Sequence, residues 1–261
     1  MELPERLRRP LAVAGLTLAL MPVRAQFQPL MNERPTGGTG QPLTIEVWSD
    51  VVCPFCYIGK RELEHALAEF PHKDSVQVVW RSFELDPDAP PSTGQSTIAM
   101  LMERYGISEA EARSRVQGVV DRAAGLGLQY DMEKTIVGSS FDAHRLLQYA
   151  KREGAGDRVK ERLFRAYFTE GRHLADRAFL LQLAKEVGLD AQTVEQALAG
   201  DGWAAEVRAD EQEAARLGVR GVPFFVFDRR FAVSGAQPQE TFRMALEKAW
   251  AERAQGPGTS K

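Results

Sequence analysis

Residues 47–60 read Val47-Trp48-Ser49-Asp50-Val51-Val52-Cys53-Pro54-Phe55-Cys56-Tyr57-Ile58-Gly59-Lys60, and the tetrad 53–56 holds the only two cysteines of the 261-residue chain. A structural bridge, half of a metal site and a redox pair all fit the bare tetrad, so its neighbours must decide. Upstream, Thr44-Ile45-Glu46-Val47-Trp48 alternates apolar and polar side chains as a strand does. Downstream, Ile58, Leu63, Leu67 and Phe70 recur at helical spacing until Pro71 closes the element. Residues 76–83, rich in β-branched and aromatic side chains, predict a second strand. Strand, helix, strand is a βαβ unit, which joins two parallel strands through a crossover. The cysteines fall at its strand-to-helix turn.

That position separates the three alternatives. Structural zinc takes four ligands, commonly two closely spaced pairs of cysteine or histidine. Here there is no second cysteine pair, and His65, His72, His144 and His173 are scattered, so no metal is expected. A bridge that closes so short a loop adds little stability, and a chain of this length buries a core without a staple. A reactive pair is left. Backbone amides at a helix start, and the positive end of the helix dipole, face the Cys53 sulfur and favour its thiolate. Pro54 occupies the first helical position, where its missing N–H costs nothing. Cys56 follows one turn later, in reach of any mixed disulfide formed at Cys53. Cys53 is therefore the expected nucleophile and Cys56 the resolving thiol.

The rest of the chain gives this unit a setting. The net charge of −3, with 26% charged residues, gives no reason to expect a nucleic-acid or anionic-membrane partner. No apolar run approaches the roughly 20 residues of a membrane span. Residues 96–217 predict helix after helix: Ser108 with Glu111 forms a capping box, Asp142, Asp176 and Asp190 are candidate N-caps, and Gly106, Gly154, Gly188 and Gly218 are candidate stops. Apolar stripes such as Val159, Leu163, Tyr167 and Leu180, Ala184, Val187 belong to the core, whereas Asp210-Glu211-Gln212-Glu213 has the composition of a solvated helix face. Strands return at 224–227 and 231–233, followed by a helix over about 239–253.

At the amino terminus, Arg6, Arg8 and Arg9 precede an apolar stretch at 11–23, and Val23-Arg24-Ala25 resembles a cleavage site, as in a secretory signal. Glu2 and Glu5 argue against that, and Met31 offers a second start. Residues 1–41 are therefore expected to lie outside the fold, as a signal-like or disordered extension, with 256–261 as a disordered tail.

Gly221-Val222-Pro223-Phe224-Phe225 sets a proline at the first residue of a strand, one of the few positions a sheet tolerates it. With the cysteine pair, it makes the chain similar to thioredoxin-fold proteins. Residues 49–60, together with 140–145, 166–171, 218–225 and Ser234-Gly235-Ala236-Gln237, more closely resemble DsbA-family oxidoreductases of the FrnE type. The resemblance implies an α/β, thioredoxin-like fold (βαβ…ββα) with a large all-helical insertion: 42–92 and 219–255 form the thioredoxin-like domain and 93–218 the insertion. It implies a protein disulfide oxidoreductase or isomerase whose only redox group is the Cys53–Cys56 pair. Pro54, Phe55, Val222 and Pro223 would face substrate, with the Val222–Pro223 bond cis.

Implied partners are protein or peptide thiols and disulfides, with glutathione as a conceivable co-substrate and no organic cofactor. Some FrnE-type proteins carry a further carboxyl-terminal cysteine pair, which this chain lacks. A neighbouring family, the glutathione-dependent 2-hydroxychromene-2-carboxylate isomerases, shares the insertion and supplies the alternative function. His144, in Ala143-His144-Arg145, reads first as a packed structural residue and second as a proton relay. His65, His72 and His173 read as surface residues. The resemblance favours the cytoplasm, and the first 25 residues favour export.

Overall fold

The computed structural model describes residues 27–30, 33 and 40–253. The signal-like segment and the tail after residue 253 lie outside them. Within them, β1 (Phe27–Pro29), β2 (Leu43–Ser49), β3 (Val76–Ser82), β4 (Phe224–Phe227) and β5 (Phe231–Ser234) form one sheet in the order β1-β5-β4-β2-β3. The pairing of β2 with β3 is parallel, from Leu43 opposite Val76 to Ser49 opposite Ser82. Helix α1 (Pro54–Glu69) makes the crossover that such a pair requires. Antiparallel pairing joins β2 to β4, β4 to β5 and β5 to β1.

Side chains that alternate along these strands build two cores. Ile45 and Val47, Phe225 and Phe227, Phe231 and Val233 point into the larger one, and Trp48, Phe224, Val226 and Ala232 into the smaller. Helix α9 (Gln239–Arg253) packs on α1 and sets Phe242 edge-on to Phe225, with ring centroids 4.6 Å apart. At the β4–β5 turn, Asp228 and Arg229 both take left-handed backbone, φ 45° and 54°, without glycine. Their side chains hold the turn: Asp228 accepts the Thr44 amide at 2.8 Å and Arg229 pairs with Glu46 at 2.6 Å.

Between β3 and β4 lie seven α-helices: α2 (Thr97–Tyr105), α3 (Glu109–Ala124), α4 (Phe141–Arg152), α5 (Gly156–Phe168), α6 (Arg177–Glu186), α7 (Ala191–Ala199) and α8 (Ala204–Arg216). Ser108, Asp176 and Asp190 cap α3, α6 and α7 through their side chains. Asp142 does not cap α4. It lies in the first turn, after Ser140 at the cap position, and bonds Arg145 and Arg177.

Two further expectations change for a physical reason. Asp210 is not on a solvated face: it accepts bonds from Arg81, the Ser82 amide and Gln148, fastening α8 across the smaller core. Residues 27–30, placed outside the fold by their sequence, add an edge strand, because Phe27 finds Phe231 at 5.3 Å and the Leu30 amide finds the Arg230 carbonyl at 3.0 Å. No helix among the described residues is long and apolar enough to cross a membrane.

Candidate active site

Strand β2 ends at Ser49, and Cys53 caps the start of α1 with extended backbone (φ −89°, ψ 115°) and Pro54 in the first helical position. No side chain closes this helix end, so its amide dipoles are left to act on the sulfur. The Val222–Pro223 peptide is cis, and the Val222 carbonyl oxygen lies 3.7 Å from Cys53 Sγ. A fourth residue explains how the two segments approach so closely. Gly59 sits on the face of α1 turned to this loop, where a Cβ would stand 2.9 Å from Pro223 Cγ and 3.1 Å from Phe225 Cζ. Around this front edge Phe55 is 37% exposed, while Pro54, Val52 and Val222 are half-buried. Tyr130, from the segment after α3, donates to the Pro54 carbonyl at 2.8 Å and stacks on Tyr57, tying the insertion to the first turn of α1.

Both cysteines are buried, Cys53 at 4% exposure and Cys56 at 1%. Burial and the adjacent Cys53 sulfur push the Cys56 thiol well above the ordinary range, with Lys160 and the Ser49 hydroxyl pulling the other way. Beneath it are two groups that sequence patterns did not single out, Asp50 and Lys160. Asp50 is 1% exposed, accepts the Leu85 amide at 2.7 Å and lies 3.3 Å from His144 Nε2. Burial would raise its pKa, but His144 and the Leu85 amide outweigh burial and hold the carboxyl below its usual range. Lys160, fully buried on α5, donates to the Ser49 carbonyl at 3.0 Å. Burial depresses its pKa to about 8.

A signal for Lys160 was present. It precedes Leu163, Phe164 and Tyr167 at helical spacing, so it occupies the buried stripe rather than the solvent face.

The structure thus brings together Cys53, Cys56, Pro54, Phe55, Val222 and Pro223. His144 stands behind them, fully buried against Asp50. Of the other histidines, His72 is exposed and stacks on Trp250 at 4.2 Å, while His65 and His173 are half-buried rather than on the surface.

An N-capping cysteine, a second cysteine one turn later and a facing X–Pro loop on a βαβ…ββα frame define a thioredoxin-type exchange site. The model of the DsbA-like thioredoxin domain matches residues 44–247, and the chain belongs to that family of thiol–disulfide oxidoreductases. A probable DsbA oxidoreductase from Streptomyces coelicolor has a similar structure (TM-score 0.79) and is 45% identical, over 84% of this chain and 94% of that one. YwbO from Bacillus subtilis is 28% identical over 77% of this chain and 94% of its own. The fold is shared with the cytosolic disulfide reductase DsbM from Pseudomonas aeruginosa, solved with glutathione (TM-score 0.54, 22% identity, 80% of this chain and all of that one).

Proposed function

We propose that the protein is a FrnE-type oxidoreductase that exchanges disulfides with protein or small-thiol substrates through Cys53 and Cys56. The observation that carries this is the asymmetry of the two sulfurs. Cys53 lies at an uncapped helix start, 3.7 Å from the Val222 carbonyl, and Cys56 is held beneath it as a thiol. In the reducing direction, Cys53 attacks the substrate disulfide, and Cys56 then attacks Cys53 to release the second substrate thiol. In the oxidising direction the steps reverse. An extended substrate would lie against Phe55, Val222 and Pro223, with the Val222 backbone as its pairing edge. The fold shared with a disulfide reductase solved with glutathione supports that tripeptide as co-substrate.

Insulin reduction and refolding of scrambled ribonuclease test the proposal with single variants. Cys53→Ser should abolish both activities. Cys56→Ser should abolish turnover and accumulate a mixed disulfide at Cys53. Full activity of Cys56→Ser in a glutathione-dependent isomerisation, without disulfide exchange, would replace this function with the isomerase alternative. The proposed compartment is the cytoplasm. Mass spectrometry of the mature amino terminus tests it, since a chain beginning at Gln26 would mean export.

A further inference from the structure

Lys160 has no exposed surface. Its Nζ donates to the Ser49 carbonyl at 3.0 Å and lies over the rings of Trp80 and Phe164, at 5.5 and 5.0 Å. Among the described residues no carboxylate comes within ion-pair distance of it. That is unusual, because lysines normally carry their ammonium to water or to a buried partner.

The charged groups around it are engaged elsewhere. Asp50, at the end of β2, is held by His144 of α4 and by the Leu85 amide. Lys60 of α1 is bound to Glu64, Glu161 and Asp157, and Asp157 also accepts from Trp80. Of the ionisable groups around Lys160, Cys56 favours its charged form most when it ionises, ahead of Asp50 and Cys53, with Lys60 opposing. Ser49 lies between the two: its carbonyl holds the amine, and its buried hydroxyl, which has no hydrogen-bond partner of its own among the described residues, favours the Cys56 thiolate. A buried amine with no carboxylate in ion-pair distance, electrostatically coupled to a thiol that must become an anion once per turnover, is placed to exchange a proton with it.

We propose that Lys160 is the acid–base partner of Cys56, taking its proton when Cys56 attacks the mixed disulfide and returning it when the Cys53–Cys56 disulfide is opened. This rests on the dithiol exchange proposed above. In the resolving step the Cys56 proton passes to the neutral amine, and the sulfur electron pair forms the bond to Cys53 Sγ. The bond from Cys53 to the substrate sulfur breaks, and its electron pair leaves as the substrate thiolate, which solvent protonates. The two cysteines lose two electrons to the substrate disulfide, and Lys160 holds the proton until the Cys53–Cys56 disulfide is opened. Its pKa, depressed to about 8 by burial, suits a group that must hold and release a proton near neutrality.

The test is a single turnover of the reduced full-length protein with a symmetrical aromatic disulfide whose released thiols are coloured. The first release reports Cys53 and the second reports Cys56. In the wild type the second release should speed up with pH and level off near pH 8. Lys160→Met should slow the second release about 100-fold at neutral pH and carry its pH limb upward, while the first release persists. Lys160→Arg should stay slow, because a guanidinium keeps its proton. A wild-type rate of second release in Lys160→Met would overturn the proposal, and full rescue by Lys160→Arg would reduce the role to fixed charge and equally overturn it. If Lys160→Met also loses the first release, the wild-type profile decides: a limb near pH 8 supports the proposal and a flat profile overturns it. The absence of any Cys56-dependent second release from the wild type would instead sink the dithiol exchange, and the role of Lys160 with it.

Discussion

Cys53 and Cys56 lie one helical turn apart and are served by different parts of the molecule. The front sulfur is surrounded largely by backbone: an uncapped helix end and the Val222 carbonyl. Behind the other sulfur are side chains: Ser49 and Asp50 at the end of β2, with Lys160 and His144 contributed by helices of the insertion. Burial keeps the rear sulfur protonated until it is needed. The insertion is thus more than a cover for the sheet, because it furnishes the rear half of the site.

The contrast can be broken from the rear with the greatest effect. His144→Ala removes the partner of a buried carboxylate and should cost about 3 kcal/mol in urea unfolding, as breaking a buried pair does. The pH dependence has a defined sign. The folded Asp50 carboxyl lies below its usual range, so its contribution is present above about pH 4 and is lost as pH falls through the lower folded value. Unfolding midpoints followed from neutral to acid pH should show that acid loss in the wild type and a flatter curve in Asp50→Asn.

At the front, a smaller change sharpens the comparison. Gly59→Ala inserts a methyl 2.9 Å from Pro223 Cγ and should cost about 1–3 kcal/mol from overpacking. It should also lower kcat/KM for peptide substrates by shifting the Val222–Pro223 loop, leaving the buried Cys56 side unaltered. The smallest effect is expected far from both sulfurs. A chain starting at Met31 loses β1 and the Phe27–Phe231 contact, and should be about 1 kcal/mol less stable than one starting at Gln26, with unchanged exchange kinetics.

What could be read from the residues follows the same division. The βαβ unit, the two later strands and the final helix were legible because each is announced by local periodicity and by punctuation within a few residues. Cys53 and Cys56 were legible for that reason, and the Val222-Pro223 segment through its resemblance to the DsbA family. The rear of the site was not, because Asp50 meets His144 across 94 residues and Lys160 meets Ser49 across 111. Only the fold closes such distances, and a lysine on an apolar stripe was the one local hint. Residues 27–30 were misjudged similarly, since nothing near Phe27 in sequence foretells Phe231.

The division between the two sulfurs is tested most directly by brief alkylation of the reduced wild-type protein near neutral pH, with the label located by tandem mass spectrometry. Cys53 should carry nearly all of the label, and Cys56 should gain it only after unfolding. Equal labelling of the two, or faster labelling of Cys56, would contradict a front nucleophile backed by a protonated thiol.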